Sequence, residues 1–135
     1  VAIGSEVDPS AFLAQAHALG SEIALPHVTS KIAPMRFLRW SPGDDLVPGP
    51  FGLLQPAENC LECKPDVILT PLVAFDYQLM RLGQGAGHYD RALSMLDHSF
   101  AIGLAWSVQR APAIASDIWD MPLNAVLTET SWITL

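Results

Sequence analysis

The sequence predicts an α/β protein: a three-layer arrangement in which helices cover both faces of a mostly parallel sheet. Three observations carry that expectation. Short apolar and β-branched runs alternate along the chain with segments of helical pattern. Residues 65–76 form an apolar, partly β-branched run ending in a carboxylate, and a glycine-rich loop and a helix pattern follow at once, the order expected where a buried strand opens onto a ligand crevice. The chain has 135 residues, 50% of them hydrophobic, enough for one substantial core and too few for two ordinary domains.

Each element has its own reason. Asp8 as N-cap and Pro9 as first helical residue start a helix with Phe12, Leu13, Ala16 and Leu19 on one face, and Gly20 supplies its stop. Residues 22–25 read as a short strand and residues 35–40 as another. Prolines and glycines crowd residues 41–56, so no regular structure is expected there. Residues 67–72 are the central strand, 88–96 a helix, and 100–104, 124–128 and 132–135 three further strands. No internal repeat, low-complexity tract or linker is present.

Composition excludes several function classes. A net charge of −7 argues against a general nucleic-acid or membrane-surface binder, so the expected partners are small molecules, met by local charge. No apolar run approaches the ~20 residues that span a bilayer. With no signal-peptide pattern, a cytoplasmic location and a monomer are the expectations. Cys60 and Cys63 form a CxxC without a second pair or a His pair at ligand spacing; they read as two reduced thiols in a connecting loop.

The most informative stretch is residues 81–93. Gly83, Gly85 and Gly87 stand at every second position and run into Tyr89, Asp90 and Arg91. Backbone without Cβ atoms can fold around a phosphate chain, and the following helix adds its positive end. A dinucleotide fingerprint would place its third glycine where His88 stands, and a Walker loop needs Gly-Lys-Ser/Thr, which is missing. The alternative is a flexible connection between strand and helix. Five of the seven basic residues (Lys31, Arg36, Arg39, Arg81 and Arg91) fall in two clusters. Arg81 and Arg91 suit a phosphate, although a pair with Asp90 or Asp76 would look the same in sequence.

The order Val73-Ala-Phe-Asp76, Arg81-Leu-Gly83, Gly85, Gly87 and Tyr89-Asp-Arg91 resembles the hallmark segment of the 5-formyltetrahydrofolate cyclo-ligase family. Ala24-Leu-Pro26, residues 34–40, residues 51–56 with Gln55 before Pro56, residues 101–105 with Gln109, and residues 120–129 are similar to further family segments in the same order. The chain differs where the family commonly has Tyr (His88), a basic residue or glycine (Ala86), and glycine (Leu79). The resemblance implies a Rossmann-like fold and a single domain over residues 1–135. Val1-Ala-Ile3 matches the family's first strand, and the helical segment that precedes it in other members, with its Lys and Arg, is expected to be lacking.

It also implies roles. Arg81, Leu82, Gly83, Gln84, Gly85, Ala86, Gly87, His88 and Tyr89 would bind ATP. Glu6, His88 and Tyr89 would bind a reduced folate, with or without a polyglutamate tail. Tyr89, at the junction of the two pockets, would be the catalytic residue. Asp90 and Asp120 would hold Mg2+, and a carboxylate at Glu6 suits the N–H-rich pterin edge. The implied reaction is ATP-dependent closure of 5-formyltetrahydrofolate to 5,10-methenyltetrahydrofolate, releasing ADP and phosphate, with no side-chain nucleophile. Two other readings stay open: another ATP-using or sugar-phosphate enzyme on the same layered fold, and a nucleotide- or folate-binding protein without turnover. Three geometric expectations follow. The loop N–H groups should face one concave site, Asp90 and Asp120 should converge near it, and Glu6 should lie across it.

Overall fold

The computed structural model describes residues 7–83, 87–115 and 120–135. The fold is mixed α/β and divides into two compact units, Asp8–Pro65 and Asp66–Leu135.

The first unit opens with helix α1, Ser10–Ala18. Its start follows the expected chemistry within one residue, since Asp8 Oδ1 accepts the Ser10 N–H (3.0 Å) and the Ser10 hydroxyl (2.6 Å). These bonds favour the ionised form and hold the Asp8 carboxyl below its ordinary range. Gly20 ends the helix with φ at +98°, and the bonds Ser21 N–H to Ala16 O and Gly20 N–H to His17 O complete a Schellman motif. No residue of α1 is buried. Strand β1 (Ile23–His27) pairs antiparallel with β2 (Arg36–Trp40), and β2 pairs antiparallel with the later β5 (Glu62–Cys63). This departs from the expected mostly parallel sheet: the connection over residues 28–35 is shorter than the dozen or so residues a parallel crossover takes. Pro26, which cannot donate to a ladder, sits on β1 at the sheet edge. Cys63 lies on β5 rather than in a connecting loop, facing Phe37 across the ladder.

The segment expected to lack regular structure contains a small ladder. Strands β3 (Val47–Pro48) and β4 (Leu54–Gln55) flank a 3₁₀ turn, Pro50–Gly52. Gln55 fixes it. The Val28 N–H donates to Gln55 Oε1 and Gln55 Nε2 donates to Val28 O, both at 3.1 Å. A Cβ on Gly49 would fall 2.5 Å from that amide, so the close approach requires glycine. His27 Nδ1 donates to Pro56 O (3.0 Å) beside it.

The second unit has a four-stranded sheet in the order β11-β10-β9-β6. Strands β6 (Val67–Thr70), β9 (Phe100–Leu104) and β10 (Ala125–Leu127) are parallel, as expected, and β11 (Trp132–Ile133) returns antiparallel at the edge. Between β6 and β9 lie an unanticipated hairpin, β7 (Ala74–Phe75) with β8 (Arg81–Leu82), then the glycine loop and helix α2 (His88–Met95). Ala92 and Leu93 are the buried residues of α2. The core of this unit includes Ile68, Leu72, Phe75, Leu79, Leu123 and Val126. Gly103 lies at its centre, where a Cβ would meet Leu123 at 2.6 Å and Leu72 at 2.9 Å.

Candidate functional site

The site is assembled around the turn between β7 and β8. Asp76 is buried, with 4% exposure, and both its oxygens are engaged by backbone. Oδ1 accepts the N–H groups of Gln78 (2.9 Å) and Met80 (3.0 Å), and Oδ2 accepts that of Ile114 (2.9 Å). Within the turn Leu79 takes φ +60°, a left-handed conformation that costs a non-glycine residue about 1–2 kcal/mol. Its side chain is 1% exposed, so burial offsets that cost. The Leu79 carbonyl accepts the Leu123 N–H (2.8 Å), and the Phe75 carbonyl accepts the Ala111 N–H (2.7 Å).

The turn delivers Arg81 opposite Phe75 on the hairpin. Its side chain is 6% exposed; Nη1 lies 3.9 Å from Asp90 Oδ1, and the guanidinium carbon stands 5.5 Å from the centre of the Tyr89 ring. Glycine makes room for two arginines here, at Gly83 for Arg81 and at Gly87 for Arg91. A Cβ on Gly83 would fall 2.8 and 2.9 Å from the two terminal nitrogens of Arg81, and one on Gly87 would fall 3.1 Å from Nη1 of Arg91. Gly87 also holds φ +74° at the N-cap of α2, where the positive helix end favours an anion. Leu82 contributes backbone: its carbonyl accepts the Val73 N–H (2.7 Å), and its side chain is half exposed.

Arg81, Gly83, Tyr89 and Asp90 therefore come together, Gly87 and Arg91 approach each other at the start of α2, and the half-buried His88 opens that helix. Arg81 pairs with Asp90, while both oxygens of Asp76 accept backbone N–H groups. Asp120 lies partly exposed between Ile114 and Leu123, the two points at which its segment is bonded to the 76–80 turn. Glu6, Gln84, Gly85 and Ala86 lie outside the described residues. Among the described residues no group of three or more His, Cys, Asp or Glu side chains could hold a metal ion. Magnesium on a nucleotide needs only one or two carboxylates, because the phosphates fill other positions, and Asp90, whose side chain is 24% exposed, suits that donor set.

Residues to which the sequence assigned no role also shape the carboxyl ends of the parallel strands. Gln109 Nε2 donates to the carbonyls of Leu72 (3.2 Å) and Val73 (3.1 Å), and its Oε1 accepts the Trp106 N–H (2.7 Å). Glu129 accepts the Ser107 N–H (2.6 Å) and hydroxyl (2.9 Å), and the first of these bonds chiefly holds its carboxyl below the usual range. The guanidinium of Arg110 covers the ring of Tyr77 at 4.8 Å. A sequence signal existed for Asp76 and Gln109, which stand inside the family-like segments; nothing in the sequence showed what they bind. A cleft of about 280 Å3 in the first unit, lined among others by Ser21, Glu22, Arg39 and Trp40, contains no glycine-loop residue. No helix among the described residues is long and apolar enough to cross a membrane.

Comparison with known proteins gives a consistent result. Residues 1–129 match the model of the 5-formyltetrahydrofolate cyclo-ligase family. The chain is 38% identical over 97 residues to the 5-formyltetrahydrofolate cyclo-ligase of Haemophilus influenzae, covering 67% of this chain and 52% of that protein, so it spans about half the length of that relative. It is 33% identical over 130 residues to the Escherichia coli protein of the same name, covering 91% of this chain and 71% of the relative. The solved structure of Aquifex aeolicus 5,10-methenyltetrahydrofolate synthetase is similar with a TM-score of 0.78 at 29% identity, over 99% of this chain and 68% of that one.

Proposed function

This chain belongs to the 5-formyltetrahydrofolate cyclo-ligase family, and from that premise we propose that it closes 5-formyltetrahydrofolate to 5,10-methenyltetrahydrofolate at the expense of MgATP. The observation that carries the proposal is the Arg81 guanidinium held beside Gly83, against the Tyr89 ring and the Asp90 carboxylate at the start of α2. A buried cation at a glycine loop and a helix start is suited to the terminal phosphates of ATP.

In this reading the formyl oxygen on N5 takes the terminal phosphoryl group of ATP, which leaves as ADP. N10 then attacks the activated carbon and gives up its proton, the carbon–oxygen bond breaks, phosphate departs with the former formyl oxygen and that proton, and the amidinium ring closes. Such transfer depends on positioning and charge neutralisation. Arg81 and the loop N–H groups orient the phosphates. Tyr89 places the folate against them, and Glu6 orients the pterin. Asp90 and Asp120 would hold the magnesium ion, whose charge neutralises the phosphate oxygens. The frame we assign to this site is the three-layer, Rossmann-like arrangement in one catalytic domain, supported by parallel β6, β9 and β10 and by the β–α–β connection through α2. The functional unit we propose is a monomer acting in the cytoplasm on a reduced folate, with or without a polyglutamate tail, and with no nucleic-acid or membrane partner.

The test is to supply the protein with 5-formyltetrahydrofolate and MgATP and to follow 5,10-methenyltetrahydrofolate by absorbance and ADP by a coupled assay. One ADP per product is expected. ATP binding without any product would instead favour a binding protein on the same fold.

A further inference from the structure

The two carboxylates proposed to share a magnesium ion lie on different limbs of the chain, and the 76–80 turn is bonded to both. One limb is β8, which carries Arg81 and through it Asp90. The other is the segment containing Asp120, which is bonded to the turn before that residue by the Ile114 N–H to Asp76 Oδ2 and after it by the Leu123 N–H to the Leu79 carbonyl. The Ala111 N–H to the Phe75 carbonyl extends the same seam. Among the described residues, Asp76 supplies the side-chain partner in the hydrogen bonds between the turn and this segment. Its Oδ1 folds the turn through Gln78 and Met80, and its Oδ2 reaches Ile114.

We infer that Asp76 is a positioning residue: its carboxylate sets the Asp120 segment in register with the glycine-loop limb, so that the site's response to magnesium, rather than its hold on the nucleotide itself, depends on it. The inference rests on the function proposed above. The chemistry separates the two effects. A carboxylate only accepts, so it can gather three N–H groups; an amide has one acceptor oxygen. In Asp76→Asn the oxygen can keep Gln78 and Met80, while the nitrogen meets the Ile114 N–H donor to donor. The turn survives, and the Asp120 segment loses its Ile114 anchor while keeping the backbone bond from Leu123 to the Leu79 carbonyl.

ATP binding to the wild type and to D76N should be titrated calorimetrically, with and without Mg2+. In the wild type Mg2+ should tighten ATP binding. In D76N the affinity for ATP alone should stay within about twofold, and the gain from Mg2+ should fall by roughly tenfold, the scale of one lost hydrogen bond to a charged group. Equal weakening with and without Mg2+ would mark a purely structural carboxylate and overturn the inference, as would no change in either. If D76N does not fold, hydrogen exchange on the wild type decides: adding Mg2+ to the ATP complex should slow exchange at the Ile114 and Leu123 amides. Slowing confined to residues 87–91 would overturn the coupling while leaving the nucleotide site in place. A wild type that binds no ATP would overturn the proposed function, and the inference with it.

Discussion

Gln55 and Asp76 are both buried polar side chains bonded to backbone, and the contrast between them separates the two units. Gln55 offers a donor and an acceptor, and both go to Val28, so the amide behaves as one more rung of pairing and closes on itself. Asp76 has acceptors only. It must collect N–H groups, and it collects them from two stretches of chain far apart in sequence. The neutral amide therefore ties its strand to a single distant residue, while the buried carboxylate gathers its own turn and a distant segment at once. In the second unit that joint lies directly before the glycine loop, which is where a ligand site needs parts from different segments held in register.

Four changes would break or sharpen this contrast. The largest effect is expected from Gln55→Leu, which leaves the buried N–H and C=O of Val28 unpaired at about 1–3 kcal/mol each. Chemical denaturation should show that loss, and a drop below about 1 kcal/mol would mean the amide is not a rung of the structure.

Next comes Leu79. Replacing it with glycine relieves the left-handed strain and removes a fully buried side chain, for a net loss of about 2 kcal/mol. Leu79→Ala keeps the strain and should be the less stable of the two by about 1 kcal/mol, the reverse of the usual alanine-over-glycine order. Melting curves that rank alanine above glycine would refute the strained turn.

Gly83→Ala acts on function more than on stability, because the atoms in its way are the tip of the Arg81 side chain. The midpoint of unfolding should move by less than about 1 kcal/mol while MgATP binds roughly tenfold more weakly, the scale of a displaced charge-assisted contact. Unchanged affinity for MgATP would remove Arg81 from the phosphate site.

The smallest effect belongs to Glu129. Its carboxyl is held below the ordinary value of 4.5, so the Ser107 turn is fully supported above about pH 4.5 and loses that support as pH falls through the lowered value. Protection of the Ser107 amide, measured against its intrinsic exchange rate, should fall over that acid range in the wild type, and Glu129→Gln should abolish that fall. An identical acid response in both would assign the effect elsewhere.

The strand and helix of the second unit, and the close approaches at Gly83 and Gly87, were legible because each signal is local: a β-branched run, glycines at fixed spacing, and an acid in the first helical turn. Both ends of α1 were legible for the same reason. Strand direction was not. The alternating burial of β1 looks the same whether its neighbour runs parallel or antiparallel. The β7–β8 hairpin has two residues on each side, too few for a period to show. In the site, glycine spacing marked Gly83 and Gly87, while the bond from Ile114 to Asp76 joins positions with no shared local pattern. The segments that carry the family resemblance included Asp76 without giving its partners.

Gly103 has a practical consequence for anyone who engineers this chain. It occupies a buried position of the parallel strand β9, where propensity tables rank valine and isoleucine first and glycine near last. The space its side chain would fill is already taken by the methyl groups of Leu72 and Leu123. Leu123 in turn donates its N–H to the strained Leu79 carbonyl. A library built on strand propensity would therefore choose, at this position, substitutions that push on the segment leading from Asp120. Variants enriched for thermal stability should retain glycine here even when every other strand position drifts toward β-branched residues.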